Sequence, residues 1–260
     1  MDKPVAPTAA AVPPVPRVRR IGLGAPLQWL ARGGRDVLAN PGAAAFYGMC
    51  FCTMAAIVGA IFRRSPEYTM TFISGCLLVG PFLAMGLYDI SRRREQGLPL
   101  AFGESLTCWE RHLGSMGLLV LVLTILELVW GRASLVVFAV FFNTGMPSTA
   151  SVLDAVLNPR NWEFLAVYLV VGSVFAGLVF CSTVVAIPMI LDRDTDAITA
   201  SLTSFRVVLE NVATMLFWGG LVVALTLLAL WPWTLGILVV GPWLGHATWH
   251  AYRDAVEWDS

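Results

Sequence analysis

The chain contains three histidines, two of which are close enough in sequence to act together. His246 and His250 are four residues apart in an apolar segment, so on a helix they share one face. Imidazoles at this spacing can bind a transition metal or flank a haem, and His112 could join them from the same side of a membrane. In the alternative interpretation, the histidines form hydrogen bonds between helices beside Trp243 and Trp249. We expect no cofactor, with a haem or transition metal at His246, His250 and His112 as the alternative.

No catalytic residue is predicted. Asp192, Asp194 and Asp196 alternate as in a calcium-binding loop. Such a loop requires Gly at its sixth position and Glu at its twelfth, where this chain has Ala197 and Thr203. The chain also lacks the phosphate-binding, dinucleotide-binding and hydrolase motifs. Asp196 is instead expected to cap the helix that follows it.

The composition indicates a membrane protein. The chain is 57% hydrophobic and only 13% charged, with a mean hydropathy of +0.73, whereas a soluble domain has about 25% charged residues. The excess of apolar side chains is therefore expected to face a lipid bilayer. The formal net charge of zero gives no basic field for nucleic acid, so no nucleic-acid partner is predicted.

Six apolar segments approach the length of about 20 residues that a helix needs to cross a bilayer. They lie at about 43–62, 69–90, 113–130, 162–190, 211–230 and 235–252. The short apolar stretch 133–142 either extends the third helix or lies at the interface, and Glu127 is expected near the outer end of that helix. With the N-terminus inside, thirteen of the seventeen Lys and Arg residues fall on the cytoplasmic side. The positive-inside rule then predicts a multi-pass protein of the bacterial inner membrane with both termini cytoplasmic.

The chain contains an internal repeat. Arg35–Asn40 reads RDVLAN and Arg206–Asn211 reads RVVLEN, and each precedes an apolar segment. Gly80-Pro81 and Gly241-Pro242 begin related stretches that end in an arginine. Before the first, third and fifth segments, apolar residues follow one helical stripe. These residues are Leu27, Ala31, Gly34 and Leu38, then Phe102, Leu106, Trp109 and Leu113, then Ile198, Leu202, Phe205 and Leu209.

These patterns predict an all-α membrane protein with six transmembrane helices in three repeated units. Each unit has an amphipathic helix on the cytoplasmic face followed by an out-and-back helical hairpin. The expected organisation is a disordered cytoplasmic tail over 1–20 and one membrane domain over 21–255. The units of that domain lie at about 25–95, 98–192 and 195–255. A long outer loop is expected at about 143–161, with a short helix at Ser151–Leu157, as a recognition surface or a tolerated insertion.

Two segments carry a resemblance to a known family. Pro188–Asn211 reads PMILDRDTDAITASLTSFRVVLEN, and Gly241–Asp254 reads GPWLGHATWHAYRD. They resemble the proteobacterial integral membrane proteins of domain of unknown function family 2189, with a likeness over about residues 20–255. The resemblance implies a six-helix inner-membrane protein and no established activity. Some members are labelled as resembling the catalytic subunit of cytochrome c oxidase, but that subunit requires more histidine ligands than the three in this chain.

Three hypotheses about function follow. The leading one is a non-catalytic accessory or assembly subunit of a larger, respiratory membrane complex. In it, Trp109, Phe205, Arg206 and Trp243 form part of an interaction surface. The second is a transporter or channel for a small solute, and the third is a membrane protein that binds a metal or haem through the histidines.

Overall fold

The computed structural model describes residues 16–65, 68–142, 158–231 and 234–258. These residues are mainly α-helical, with 3₁₀ turns at Glu110–His112 and Pro159–Asn161 and two short strands. The helices are α1 Ala25–Ala39, α2 Pro41–Arg64, α3 Thr69–Glu95, α4 Phe102–Thr107, α5 Leu113–Phe141, α6 Trp162–Thr183, α7 Ala186–Arg193, α8 Ala197–Glu210, α9 Val212–Leu230 and α10 Ile237–Ala255. The strands are β1 Pro16–Val18 and β2 Val256–Trp258. The predicted helix at Ser151–Leu157 and most of its loop lie outside the described residues.

Five segments of the described chain are long and apolar enough to cross a membrane, which agrees with the prediction of an all-α membrane protein. They are Pro41–Arg64, Phe72–Glu95, Phe102–Phe141, Trp162–Arg193 and Val212–Leu230. The sixth predicted span falls in α10, which is not among them because its second half carries His246, His250, Arg253 and Asp254. The sixth span therefore stays a prediction.

The third predicted span is longer than its apolar core indicated. α5 continues without a break through Gly131 and Arg132 to Phe141, so the stretch 133–142 extends this helix. Glu127 therefore lies near the middle of α5 and not near its end, as the sequence had suggested. Its side chain is buried against the neighbouring helices, with 7% exposure.

The amphipathic helices turn their apolar stripes away from the protein. Leu38 on α1 and Leu209 on α8 are strongly exposed, whereas Trp29 and Val207 on the opposite faces are fully buried. α1 forms despite Gly33-Gly34, and Asp196 caps α8 by accepting hydrogen bonds from the amides of Ile198 and Thr199. An outward apolar stripe beside a buried inner face fits helices that lie in the membrane interface.

The two ends of the chain meet in a small antiparallel sheet. β1 pairs with β2, so that Arg17 lies opposite Glu257. The amide of Arg19 donates to the carbonyl of Ala255 (2.9 Å), and the amide of Ile21 donates to Asn211 Oδ1 (2.7 Å). Residues 16–20, predicted as the end of a disordered tail, are therefore part of the ordered domain, because the C-terminal segment supplies their hydrogen-bond partners. Both ends of the described chain lie on the same face of the protein.

Helices α1 and α10 pack closely because Gly33 has no side chain. A Cβ at Gly33 would lie 2.7 Å from the backbone nitrogen of Ala247, too close for any side chain. This contact brings α1 against the half of α10 that carries both histidines.

Gly33→Ala is therefore expected to separate α1 from α10 and to lower the free energy of unfolding by about 1–2 kcal/mol. Thermal melting in detergent measures the change. The matched control is Gly59→Ala on α2, where a Cβ meets nothing within 4 Å. Equal melting temperatures for the two variants would contradict the close packing.

The ends of α1 and α8 have similar local geometry. Asn40 ends α1 with φ −133° and ψ 60°, and Asn211 ends α8 with φ −129° and ψ 40°. In both, the asparagine amide donates to carbonyls three and four residues earlier, and the asparagine carbonyl accepts the first bond of the next helix. The middle unit instead has the short α4 and a 3₁₀ turn. The three-unit repeat stays a prediction.

Candidate functional site

A buried polar cluster joins α1, α3 and α10 at one end of the helices, and it centres on Asp36. Asp36 Oδ2 accepts hydrogen bonds from Ser91 Oγ (2.6 Å) and from His250 Nε2 (2.9 Å). Its Oδ1 accepts from Arg94. Ser91 Oγ also lies 2.8 Å from His246 Nδ1. We call these five residues the Asp36 cluster and the end of the molecule that holds them the polar end.

The hydrogen bonds of the Asp36 cluster form a chain with defined directions. Ser91 has one hydroxyl proton and gives it to Asp36, so His246 Nδ1–H donates to Ser91 Oγ. His246 is fully buried, and its Nε2 has no hydrogen-bond partner among the described residues. The chain His246–Ser91–Asp36–His250 therefore links α10, α3 and α1 through the interior of the polar end.

Asp36 is held as a carboxylate by its partners. Burial raises the pKa of this carboxyl, but the hydrogen bonds from His250 and Ser91 and the charge of His250 lower it, and the net pKa is below the ordinary value of 3.8. Arg94, with a side chain that is 42% exposed, supplies a permanent positive charge. A carboxylate that accepts hydrogen bonds from α3 and α10 stabilises the contact of all three helices.

A second charged group lies beside the first, around Asp89 on α3. Asp89 is 1% exposed and accepts from Arg92 (2.5 Å) and Arg93 (2.8 Å). Arg92 also donates to the carbonyl of Leu191 on α7 (3.0 Å), and Arg93 donates to Glu104 on α4. One buried carboxylate thus positions two arginines that hold α4 and α7 against α3.

These charged residues line two adjoining cavities at the polar end, with volumes of about 560 and 370 Å³. Arg92, Asp192 and Arg193 line both. Asp192 Oδ2 accepts from the Tyr252 hydroxyl (2.8 Å), and the Arg193 guanidinium lies 5.4 Å from the centre of the Trp258 ring. We call the two cavities together the charged cleft. The β-sheet and α10 form one side of it.

The structure brings two of the three predicted metal ligands together. His246 and His250 both belong to the Asp36 cluster. His112 lies in the charged cleft, where its Nδ1 is 2.8 Å from Asp194 Oδ1. Among the described residues, no three His, Cys, Asp or Glu side chains converge as a metal site. Metal or haem binding stays a prediction.

The residues of the predicted interaction surface have different surroundings. Trp243 Nε1 donates to the carbonyl of Leu30 (2.7 Å) and so joins α10 to α1. The Trp109 ring packs edge-on against Phe82 on α3, with 5.6 Å between the ring centres. Phe205 is half-buried and Arg206 is exposed on α8. The role of these four residues in an interface stays a prediction.

Sequence reasoning did not identify Asp36, Ser91 or Asp89. One signal for Asp36 was present in the repeat: RDVLAN has Asp36 where RVVLEN has Val207. Asp36 is 4% exposed, and Val207 is fully buried. A charged residue at the buried position of a repeated helix indicates a partner that the other copy does not have.

Part of the chain matches the model of a known protein family. Residues 69–192 match the family model described as "Predicted integral membrane protein (DUF2189)", the family that the sequence resembled. The match runs from the first residue of α3 to Asp192 in α7, and therefore includes Asp89, Ser91 and Arg94. Asp36 and α10 lie outside the matched residues. Neither a curated protein nor a solved structure matches the chain.

Proposed function

We propose that this protein is a non-catalytic accessory or assembly subunit of a larger complex in the bacterial inner membrane, with respiratory complexes as the first candidates. The polar end faces the cytoplasm in this proposal, because it gathers Arg92, Arg93, Arg111, Arg193 and Arg253. Positive charge next to the spans favours the cytoplasmic side. The paired β1 and β2 then put both ends of the described chain in the cytoplasm.

The observation that carries the proposal is the uneven packing of the long helices. Within the chain, only 6% of the most apolar window of Trp162–Arg193 is buried, compared with 35% for Phe72–Glu95. α6 therefore contributes little to the protein's own core. In lipid, helices associate through close packing at small residues, and α6 exposes Ser173 and Ala176 one turn apart. This face suits a transmembrane helix of a partner subunit.

The hydrogen bonds around the charged cleft also support this proposal. Asp89 and Asp36 tie α1, α3, α4 and α7 together at the polar end through Arg92, Arg93 and Arg94. His250 adds α10 to this group by its hydrogen bond to Asp36. A subunit fixed at one end can present its less packed spans in a constant orientation. Hydrogen bonds at the polar end hold the helices together, and the long helices leave an apolar surface for lipid. A structural subunit has both properties.

Placing leucines on the exposed small-residue face of α6 is expected to separate the protein from its complex. The variant is Ser173→Leu with Ala176→Leu, and its large side chains prevent a partner helix from approaching closely. Cross-linking in native membranes, followed by extraction in mild detergent, measures the size of the complex. We expect the cross-linked species to be lost and the monomer to remain folded.

The matched control is Gly220→Leu on α9, an exposed position where a Cβ meets nothing within 4 Å. This variant is expected to keep the complex. If the α6 double variant kept the full complex, α6 would not be the contact surface.

The transporter hypothesis and the metal or haem hypothesis stay predictions. Metal analysis of purified wild-type and His250→Ala protein tests the metal or haem hypothesis.

A further inference from the structure

A carboxylate lies in the apolar part of the protein, away from the polar end, with one oxygen unsatisfied. Glu127 on α5 is 7% exposed, and its Oε2 accepts a hydrogen bond from Ser74 Oγ on α3 (2.5 Å). Its Oε1 is buried without a hydrogen-bond partner in the described residues. An ionisable group inside a transmembrane segment is costly and marks a functional site by default.

Most of the unsatisfied buried polar atoms in the described residues belong to α3 and α5. The described residues contain four buried side-chain oxygen or nitrogen atoms without a partner. Three are Thr69 Oγ1, Glu127 Oε1 and Ser134 Oγ, and only His246 Nε2 lies elsewhere. Nearly all buried polar groups in folded proteins have a partner. Three unsatisfied oxygens on this helix pair therefore indicate a binding partner that the described residues do not supply.

Ser74, Glu127 and Ser134 can be placed along the helix pair from their spacing. Ser74 contacts Glu127, whereas Phe82 contacts Trp109, which shows that α3 and α5 run antiparallel. Thr69 precedes Ser74 by five residues, about 140° around α3, and Ser134 follows Glu127 by seven, about two turns along the same face of α5. At 1.5 Å per residue, they lie about 8 and about 10 Å beyond the Ser74–Glu127 contact, both away from the polar end. We call these four residues the α3–α5 seam.

The oxygens of the seam fit one class of ligand. A carboxylate and hydroxyl groups are hard donors that bind alkali and alkaline-earth cations, whereas transition metals prefer nitrogen and sulfur. Glu127 is the only charged residue of the seam. One monovalent cation therefore leaves the site neutral, and a divalent cation would leave an uncompensated charge in an apolar environment.

We propose that Glu127 and Ser74 bind a monovalent metal cation, which reaches them past Ser134 from the end of the molecule opposite the polar end. This site is separate from the Asp36 cluster, and it does not depend on the proposed role of the protein as a subunit. The unsatisfied Glu127 Oε1 coordinates the cation, and water completes the coordination. Sodium is the probe for the test.

Carboxyl labelling measures the occupancy of this site directly. A hydrophobic carbodiimide adds to a membrane carboxyl, and the acyl group then migrates to nitrogen, so that no atoms are lost. The full-length protein in native membranes is treated at one fixed pH in sodium chloride or choline chloride, and Glu127 is followed by mass spectrometry. We expect labelling in choline and a fall of about tenfold when sodium is about ten times its dissociation constant.

Two variants and a second readout separate the cation site from a fold defect. Sodium is expected to raise the melting temperature of the wild type in detergent, and Glu127→Gln is expected to abolish this dependence. Ser74→Ala should require a higher sodium concentration for the same protection. Glu163→Gln, an exposed carboxyl in the first turn of α6, should behave as wild type. Equal labelling of Glu127 in sodium and choline, or no labelling in either salt, would contradict the site.

Discussion

Asp36→Ala is expected to lower the free energy of unfolding by about 3 kcal/mol or more, the largest effect of any single substitution that we predict. The alanine removes the acceptor of Ser91, Arg94 and His250 together. Ser91 and His250 are nearly buried, and a buried hydrogen-bonding group that loses its partner costs about 1–3 kcal/mol. Arg94 adds less, because its side chain is 42% exposed and water solvates the charge. Thermal and denaturant unfolding in detergent measure the loss.

Glu104→Ala is the control for this substitution. Glu104 also pairs with an arginine, Arg93, but its side chain is 68% exposed. Exposed ion pairs contribute about 0–1 kcal/mol, because water and salt screen them. A loss of stability in Asp36→Ala no greater than that in Glu104→Ala would show that the Asp36 cluster does not hold the helices.

The same carboxylate predicts a pH dependence with a defined sign. The pKa of Asp36 is lower in the folded protein than its ordinary value of 3.8. Its contribution to stability is therefore complete above that value and is lost as the pH falls below it toward the folded pKa. We expect Asp36→Asn to lack this component of acid unfolding, which a melting series in acidic buffers would detect.

Asp89→Ala is expected to have the second-largest effect, a loss of about 2–3 kcal/mol. Asp89 is almost completely buried and orders both Arg92 and Arg93, whose side chains are 25% and 18% exposed. After the substitution Arg92 keeps the carbonyl of Leu191 and Arg93 keeps Glu104, so the cost is smaller than at Asp36, where the nearly buried Ser91 and His250 lose their acceptor. Loss of Asp89 should also loosen α4 and α7, which contact α3 through these arginines.

Hydrogen exchange provides the specific readout for Asp89→Ala. Amides of α4 and α7 are expected to exchange faster in the variant, whereas those of α9 should not change. Glu163→Ala is the control, because Glu163 is an exposed carboxyl in the first turn of α6. Unchanged exchange in α4 and α7 after Asp89→Ala would contradict its role in positioning them.

The apolar segments of the sequence predicted most of the long helices, because a chain in lipid must satisfy its backbone hydrogen bonds within each helix. The structure at the two ends of the described chain was harder to predict from the sequence. The turn of β1 onto β2 depends on contacts between Pro16 and Trp258, which are far apart in sequence. The continuation of α5 beyond Arg132 was left open, because one charge at that position fits both a helix end and a long helix.

The Asp36 cluster could be predicted only in part. The spacing of His246 and His250 placed them on one face, and both indeed point to the same cluster. Their partners Asp36 and Ser91 lie on other helices, so that no local pattern connects them. The stripe of apolar residues on α1 marks the exposed side of this helix and not its buried side. Leu38 in the stripe is exposed, whereas Asp36 on the other face is buried. For a helix in a membrane interface, the polar residue on the opposite face is the better guide to the protein core.

The most direct test of the proposed role is the composition of the particle that contains this protein when native membranes are extracted in mild detergent. We expect a particle larger than the monomer of 28.2 kDa, with at least one other membrane protein in a constant ratio by mass spectrometry. We also expect that protein to be missing from the particle formed by the Ser173→Leu and Ala176→Leu variant. A wild-type protein that is recovered as a monomer without a constant partner would contradict the account.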